Sequence, residues 1–256
     1  MRDLAVTLLQ CELAWESPAD NRAQFEQAIA ALQQPTDLVV LPEMFTTGFS
    51  MNALANAEQP GGATHAWLQD TARRHDCAVC GSIAVREGEQ VFNRMLLATP
   101  DGIHHYDKRH LFRMGGEHRR YAAGTQRVVV PWRDWRINLQ VCYDLRFPVF
   151  SRNRQDYDLL VYVANWPALR RSHWRALLAA RAIENQACVV GVNRIGSDAN
   201  GLDYSGDSLA FAADGAKLAD AGNENGAVRV VLDGAALQAY REAFPCHLDA
   251  DGFQLG

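Results

Sequence analysis

The 256-residue chain has no uncharged apolar stretch close to the roughly 18 residues that a membrane-spanning helix needs, which excludes a spanning segment. It has no lysine- or arginine-rich block, and its formal net charge is -5. A nucleic-acid-binding surface is therefore not expected, while a local basic pocket stays compatible with the charge balance. At the amino terminus, MRDLAVTLLQCELAW holds only a short apolar run broken by Glu12, with no cleavage-like segment behind it. It does not read as a signal peptide, and a cytoplasmic location is expected. Six cysteines over this length do not suggest a disulfide framework. Cys77 and Cys80 form a C-x-x-C pair in CAVCGSIAV, but no second pair and no histidines at ligand spacing follow. The run reads as a buried strand rather than the start of a redox helix, so neither a metal nor a redox role is expected. Cys11, Cys188 and Cys246 read as packing. Repeats, low-complexity tracts and a nucleotide-binding loop are all missing, and no cofactor is expected.

What remains is enough to build a large core: 48% of the residues are hydrophobic and 21% are charged. Apolar runs predict strands at 4–11, 37–41, 78–85, 91–99, 127–131, 136–141, 159–164, 188–193, 208–212 and 227–232. Helices are expected at 20–32, 64–75 and 172–185. Fully apolar strands alternating with helices imply sheets covered on both faces, and the hairpin over 78–99 makes those sheets mixed. No linker divides the chain, so residues 1–256 read as one α/β domain of layered sheets and helices. The 172–185 helix is apolar on more than one side. Ala176, Ala179, Ala180 and Ile183 form one face, and Trp174, Leu177 and Leu178 point elsewhere. Such a helix needs two burial partners, either a second layer or a second subunit.

Three apolar strands end on chemistry. DLVVLP presents Glu43, INLQV presents Cys142, and LLVYVA presents Asn165-Trp166-Pro167. Layered α/β proteins form ligand sites at the carboxyl ends of strands, where rigid elements hand over to loops. A free cysteine is most often a buried hydrophobe. Pleat alternation, however, puts Cys142 on the side of Asn138 and Gln140, opposite Ile137, Leu139 and Val141. A nucleophilic thiol needs a base and a group to hold developing charge. None of the eight histidines has a pattern that marks it as that base, and His104-His105 read as solvated loop. A buried carboxylate such as Glu43 can serve instead. Lys108, in the charged stretch HHYDKRHLF, reads by itself as a surface lysine.

LPEMF around Glu43, YDKRHLF around Lys108 and CYDLRFP around Cys142 resemble, in order, the three motifs of the nitrilase superfamily, the carbon–nitrogen hydrolases. The resemblance runs over essentially the whole chain, including NWP at 165–167 and RAIENQ at 181–186. It implies a four-layer αββα sandwich that pairs into a homodimer, which gives the Ala-rich helix its second partner. It also implies a metal-free amidase with Cys142 as nucleophile, Glu43 as general base, and Lys108 with the Tyr143 amide as oxyanion donors. Glu117 is the candidate for an assisting second glutamate, its alternative being a solvated loop carboxylate. Trp166 reads as pocket wall, and Asn165 as a substrate-orienting or loop-capping residue. Arg146 is expected to act structurally, paired with an acid, although many relatives continue RFPE where this chain has Val149.

LPEMFTTGF, CYDLRFPVFSRN and YVANWP most resemble the bacterial omega-amidases, which hydrolyse the side-chain amide of 2-oxoglutaramate and 2-oxosuccinamate. Such a small-molecule substrate carries a carboxylate, for which Arg113, Arg146 and the backbone near Trp166 are the available donors. The three motifs do not separate this activity from a nitrilase, a carbamoyl-compound amidase or a deaminated-glutathione amidase. A non-catalytic binding protein that keeps the fold is the alternative of another class, and release of ammonia from a panel of small amides distinguishes it.

Overall fold

The computed structural model describes residues 1–254. In chain order its strands are β1 (Leu4–Gln10), β2 (Leu38–Val40), β3 (Ala78–Glu87), β4 (Gln90–Thr99), β5 (Gly102–Asp107), β6 (Val129–Trp132) and β7 (Trp135–Val141). They continue as β8 (Leu159–Ala164), β9 (Cys188–Asn193), β10 (Ile195–Ser197), β11 (Asp203–Ser205), β12 (Leu209–Phe211), β13 (Lys217–Asp220) and β14 (Gly226–Leu232). The helices are α1 (Pro18–Ala30), α2 (Ala53–Asn56), α3 (Ala63–His75), α4 (Pro148–Ser151), α5 (Arg171–Asn185) and α6 (Gly234–Ala243). One six-stranded sheet runs β14-β1-β2-β3-β4-β5, a second runs β13-β12-β9-β8-β7-β6, and β10 and β11 form a separate ribbon. Both sheets are mixed. Strand β2 is parallel to β1 and β3, and β8 is parallel to β7 and β9, whereas β3, β4 and β5 pair antiparallel.

The period-2 pattern explains the layers. In the first sheet Leu8, Leu38, Val40, Cys80 and Leu97 face a core shared with Ile137, Leu139 and Val141 of the second sheet. The alternate residues Leu9, Val39, Leu41 and Val79 pack with Phe25 and Ile29 of α1 and Leu68 and Ala72 of α3. On the other side, α5 sets Trp174 and Leu178 against Gly191 of β9, where any Cβ would stand within 3 Å of both side chains. Helices outside two face-packed sheets make the αββα sandwich that the family resemblance implies.

Two expectations change. His104 and His105 belong to edge strand β5, not to a loop; both are exposed while Tyr106 is buried. A polar edge strand blunts further pairing, so its sequence carries no apolar signature. The pleat argument for Cys142 also stops one residue short, because β7 ends at Val141 and a 3₁₀ turn occupies Cys142–Arg146. Cys142 has φ +43°, a left-handed conformation that a non-glycine residue adopts at a cost. The backbone leaves the pleat there, and the thiol direction is set by the turn.

Candidate active site

Strands β2, β7 and β8 release Glu43, Cys142 and Asn165 at their carboxyl ends, and the two sheets bring these ends together. The Glu43 side chain crosses between them. Its Oε1 accepts from Lys108 Nζ and from Asn93 Nδ2, each at 2.8 Å, and its Oε2 accepts from the Asn165 backbone N–H at 2.8 Å. Asn165 Nδ2 returns a bond to the Glu43 carbonyl oxygen at 2.6 Å. The carboxylate is thus fixed on both oxygens in a buried position. Lys108 is fully buried, not a surface lysine, and it also donates to both oxygens of Glu117 at 3.1 and 2.9 Å. Glu117 is fully buried as well, which rules out the solvated-loop alternative, and it accepts from Asn93 Nδ2 and the Phe112 N–H.

Burial disfavours the Lys108 ammonium, but Glu117 and Glu43 outweigh that and hold its pKa well above the ordinary lysine value. Burial, with Glu43 adding to it, raises the Glu117 carboxyl even though Lys108 pulls the other way. The Cys142 thiol is pushed well up by burial and then by the adjacent Glu43 charge, with Lys108 opposing. This cysteine therefore rests as a protonated thiol beside a carboxylate, and its proton must leave as the sulfur attacks. Burial, with Asp76 adding to it, also pushes the Cys77 thiol to about 12, and burial likewise raises Cys80, but neither has a carboxylate and a lysine placed as Glu43 and Lys108 are.

The turn carrying Cys142 is held from beneath. Asp144 Oδ2 accepts from the Val141 N–H at 2.9 Å and the Tyr106 hydroxyl at 2.8 Å. Its Oδ1 accepts from the His110 N–H at 3.0 Å and lies 2.7 Å from His110 Nδ1. One buried carboxylate thereby ties the nucleophile turn to both flanks of Lys108. The amides of Cys142 and Tyr143 open the 3₁₀ turn, where first-turn N–H groups have no intrahelical acceptor.

Above this floor lies a cavity of about 270 Å³. Glu43, Lys108, Cys142, Tyr143, Asn165 and Trp166 all line it. Arg146 lines it too and corrects the expectation of an acid-paired structural arginine. Among the described residues it has no carboxylate partner; it lies 4.8 Å over the Trp166 ring with Nη2 3.0 Å from His173 Nδ1. With Val149 at the position of the relatives' glutamate, no acid arrives from that side. Arg113 is exposed and does not line the cavity. Asn93 was not among the expected site residues; its one signal is an amide inside the apolar strand VFNRMLLAT. Arg170 was not expected either, nor was the β10–β11 ribbon, which sends Asp198, Leu202 and Tyr204 to the cavity. Among the described residues no group of three histidine, cysteine or acidic side chains is placed to hold a metal ion.

Known proteins are similar to this chain over essentially its whole length. The family model described as carbon–nitrogen hydrolase matches residues 5–242. Omega-amidase YafV of Yersinia enterocolitica is 52% identical over 257 residues, covering 100% of both chains. The 2-oxoglutaramate amidase of Bacillus subtilis is 35% identical, covering 94% of this chain and 95% of its own. The crystal structure of XC1258 from Xanthomonas campestris, a CN-hydrolase superfamily protein with an arsenic adduct in the active site, superposes with a TM-score of 0.98 at 47% identity, covering 100% of each chain. With its sandwich, its strand-end motifs and its full-length relatives in agreement, this chain belongs to the carbon–nitrogen hydrolase family.

Proposed function

We propose that this chain is an omega-amidase that releases ammonia from the side-chain amide of 2-oxoglutaramate and 2-oxosuccinamate through a thioester on Cys142. The observation that carries this reading is a buried Glu43–Lys108 pair, 2.8 Å apart, at the floor of a small cavity that also holds the Cys142 thiol. Glu43 takes the Sγ proton as sulfur bonds to the amide carbon, and the carbonyl oxygen becomes an oxyanion held by Lys108 and the Tyr143 N–H. Asn165 Oδ1 is buried and without a partner, a suitable acceptor for the substrate N–H. Glu43 hands its proton to the nitrogen, the C–N bond breaks, and ammonia leaves. Water then loses a proton to Glu43 as it attacks the thioester; the C–S bond breaks and sulfur regains the proton. Glu117 is the positioning residue, since both its oxygens accept from Lys108 and Asn93 bridges it to Glu43. Full-length relatives named omega-amidase and 2-oxoglutaramate amidase support the choice of substrate.

Steady-state kinetics across a small panel test this choice. 2-Oxoglutaramate or 2-oxosuccinamate is expected to exceed butyramide or a simple nitrile by at least about a hundredfold in kcat/KM, equivalent to ~2.7 kcal/mol. Equal or better turnover of a neutral nitrile would move the protein to another branch of the family.

A homodimer is the assembly we propose, built on the outer face of α5. Trp174 and Leu178 point inward, while Ile183 is 52% exposed and Ala176, Ala179 and Ala180 are exposed or half-exposed, so among the described residues the small-residue face is only partly covered. Ala179→Glu is expected to leave a folded monomer, because the charge costs several kcal/mol only when a second subunit buries it. Sedimentation checks this, and a wild-type chain that is monomeric at micromolar concentration refutes it. Cytoplasm is the compartment we propose, consistent with six free cysteines.

A further inference from the structure

The charges on the cavity wall do not balance. Among the described residues two acids line it, and both are already engaged by protein donors. Glu43 is bound on both oxygens by Lys108, Asn93 and the Asn165 amide. Asp198 closes its own turn, with Oδ1 accepting from the Asn200 and Leu202 N–H groups and Oδ2 from the Tyr204 hydroxyl. Neither is available to the arginines of the wall. Arg146 at least meets His173. The Arg170 guanidinium has no ion pair or side-chain hydrogen bond among the described residues and rests 5.3 Å over the Phe112 ring. Its neighbour in sequence, Arg171, is fully engaged by Asp207, as is Arg175.

The support under Arg170 is rigid. The Phe112 N–H donates to Glu117, the carboxylate that also holds Lys108, and the Phe112 ring packs edge-on against Tyr143 at 5.2 Å. The Trp166 indole N–H donates to the Arg170 carbonyl oxygen at 2.8 Å. The residue is thus tied at its backbone to one aromatic wall and rests at its head on another. A planar cation held in this way, with its donors uncommitted, suits a carboxylate that binds through two parallel N–H···O contacts.

Resting on the omega-amidase reading above, we infer that Arg170 is the specificity-determining residue that captures the carboxylate of the 2-oxo acid amide while the amide end lies at Cys142. Arg113, one of the donors available in the recognised motifs, stands outside the cavity and takes no part. The interaction is made alike in ground and transition states, so its loss appears chiefly in KM.

The test compares the full-length Arg170→Gln, Arg170→Lys and Arg113→Gln variants on 2-oxoglutaramate and on neutral butyramide. Arg170→Gln is expected to lose about a hundredfold in kcat/KM for 2-oxoglutaramate, mostly through KM, while butyramide stays within roughly threefold. Arg170→Lys should recover part of the loss, since the charge returns without the planar fork. Arg113→Gln should match the wild type on both substrates. Inhibition by 2-oxoglutarate should weaken in Arg170→Gln in parallel with KM. Equal losses on both amides, or an Arg170→Gln enzyme that still discriminates like the wild type, overturns the assignment of Arg170 alone. A wild-type enzyme that already turns over butyramide as well as 2-oxoglutaramate overturns the substrate reading and this assignment with it.

Discussion

Cys142→Ala is expected to lower turnover by roughly 10⁵-fold or more, the scale seen when a hydrolase loses its covalent nucleophile. That is about 7 kcal/mol of transition-state stabilisation. The fold should survive. The substitution removes one sulfur atom from a site that is 9% exposed, and the φ of +43° is held by the Asp144 bonds to Val141, Tyr106 and His110, which alanine leaves in place. A change in unfolding free energy within about 1 kcal/mol fits such a conservative change. Circular dichroism and thermal melting alongside ammonia release separate the two quantities. An alanine variant with full activity, or one that is inactive only because it is unfolded, would remove the ground for assigning the nucleophile.

The second large effect belongs to the ions around the thiol. Glu43→Gln and Lys108→Ala should each cost several orders of magnitude in kcat, and the double variant should be little worse than the poorer single one, because the groups serve one proton transfer and one oxyanion. Their stabilities should differ. Glutamine preserves the shape of Glu43 and can still accept from Lys108 and Asn93 through its oxygen, although its amide N–H then faces the Asn165 N–H. Removing Lys108 leaves Glu43 and Glu117 buried without their shared cation, a loss of the kind that costs about 3–5 kcal/mol. Lys108→Ala should therefore melt well below Glu43→Gln. Glu117→Ala should also be severe in turnover, because it frees Lys108 on one side and Phe112 on the other. Losses for Glu43 and Lys108 that multiply independently would contradict a single constellation.

The strand-end residues were legible because apolar runs stop abruptly at them: Val40 before Glu43, Val141 before Cys142, Ala164 before Asn165. The layered architecture followed from the same runs, with α1, α3 and α5 within two residues of their expected starts. Lys108 was harder. Its burial comes from Glu43, 65 positions away, and Glu117, and no local pattern announces a partner at that separation. One sign was available, since Lys217 is the only other lysine in the sequence. Strand β5 and the β10–β11 ribbon were invisible because their residues are polar or few, and their pairing is set by tertiary context. Arg146 was misjudged for a related reason. Its expected acid partner is a property of relatives, whereas its contacts with His173 and Trp166 arise only when α5 and the strand-end loops meet.

Wild-type enzyme mixed with 2-oxoglutaramate, quenched in acid within the first turnovers and digested for mass spectrometry, tests the central claim most directly. An acyl adduct is expected on the peptide carrying Cys142, with the mass of the substrate less ammonia, and none is expected in Cys142→Ala. An adduct on Cys77 or Cys80, or turnover with no covalent species on Cys142 under conditions that trap a thioester, would contradict it.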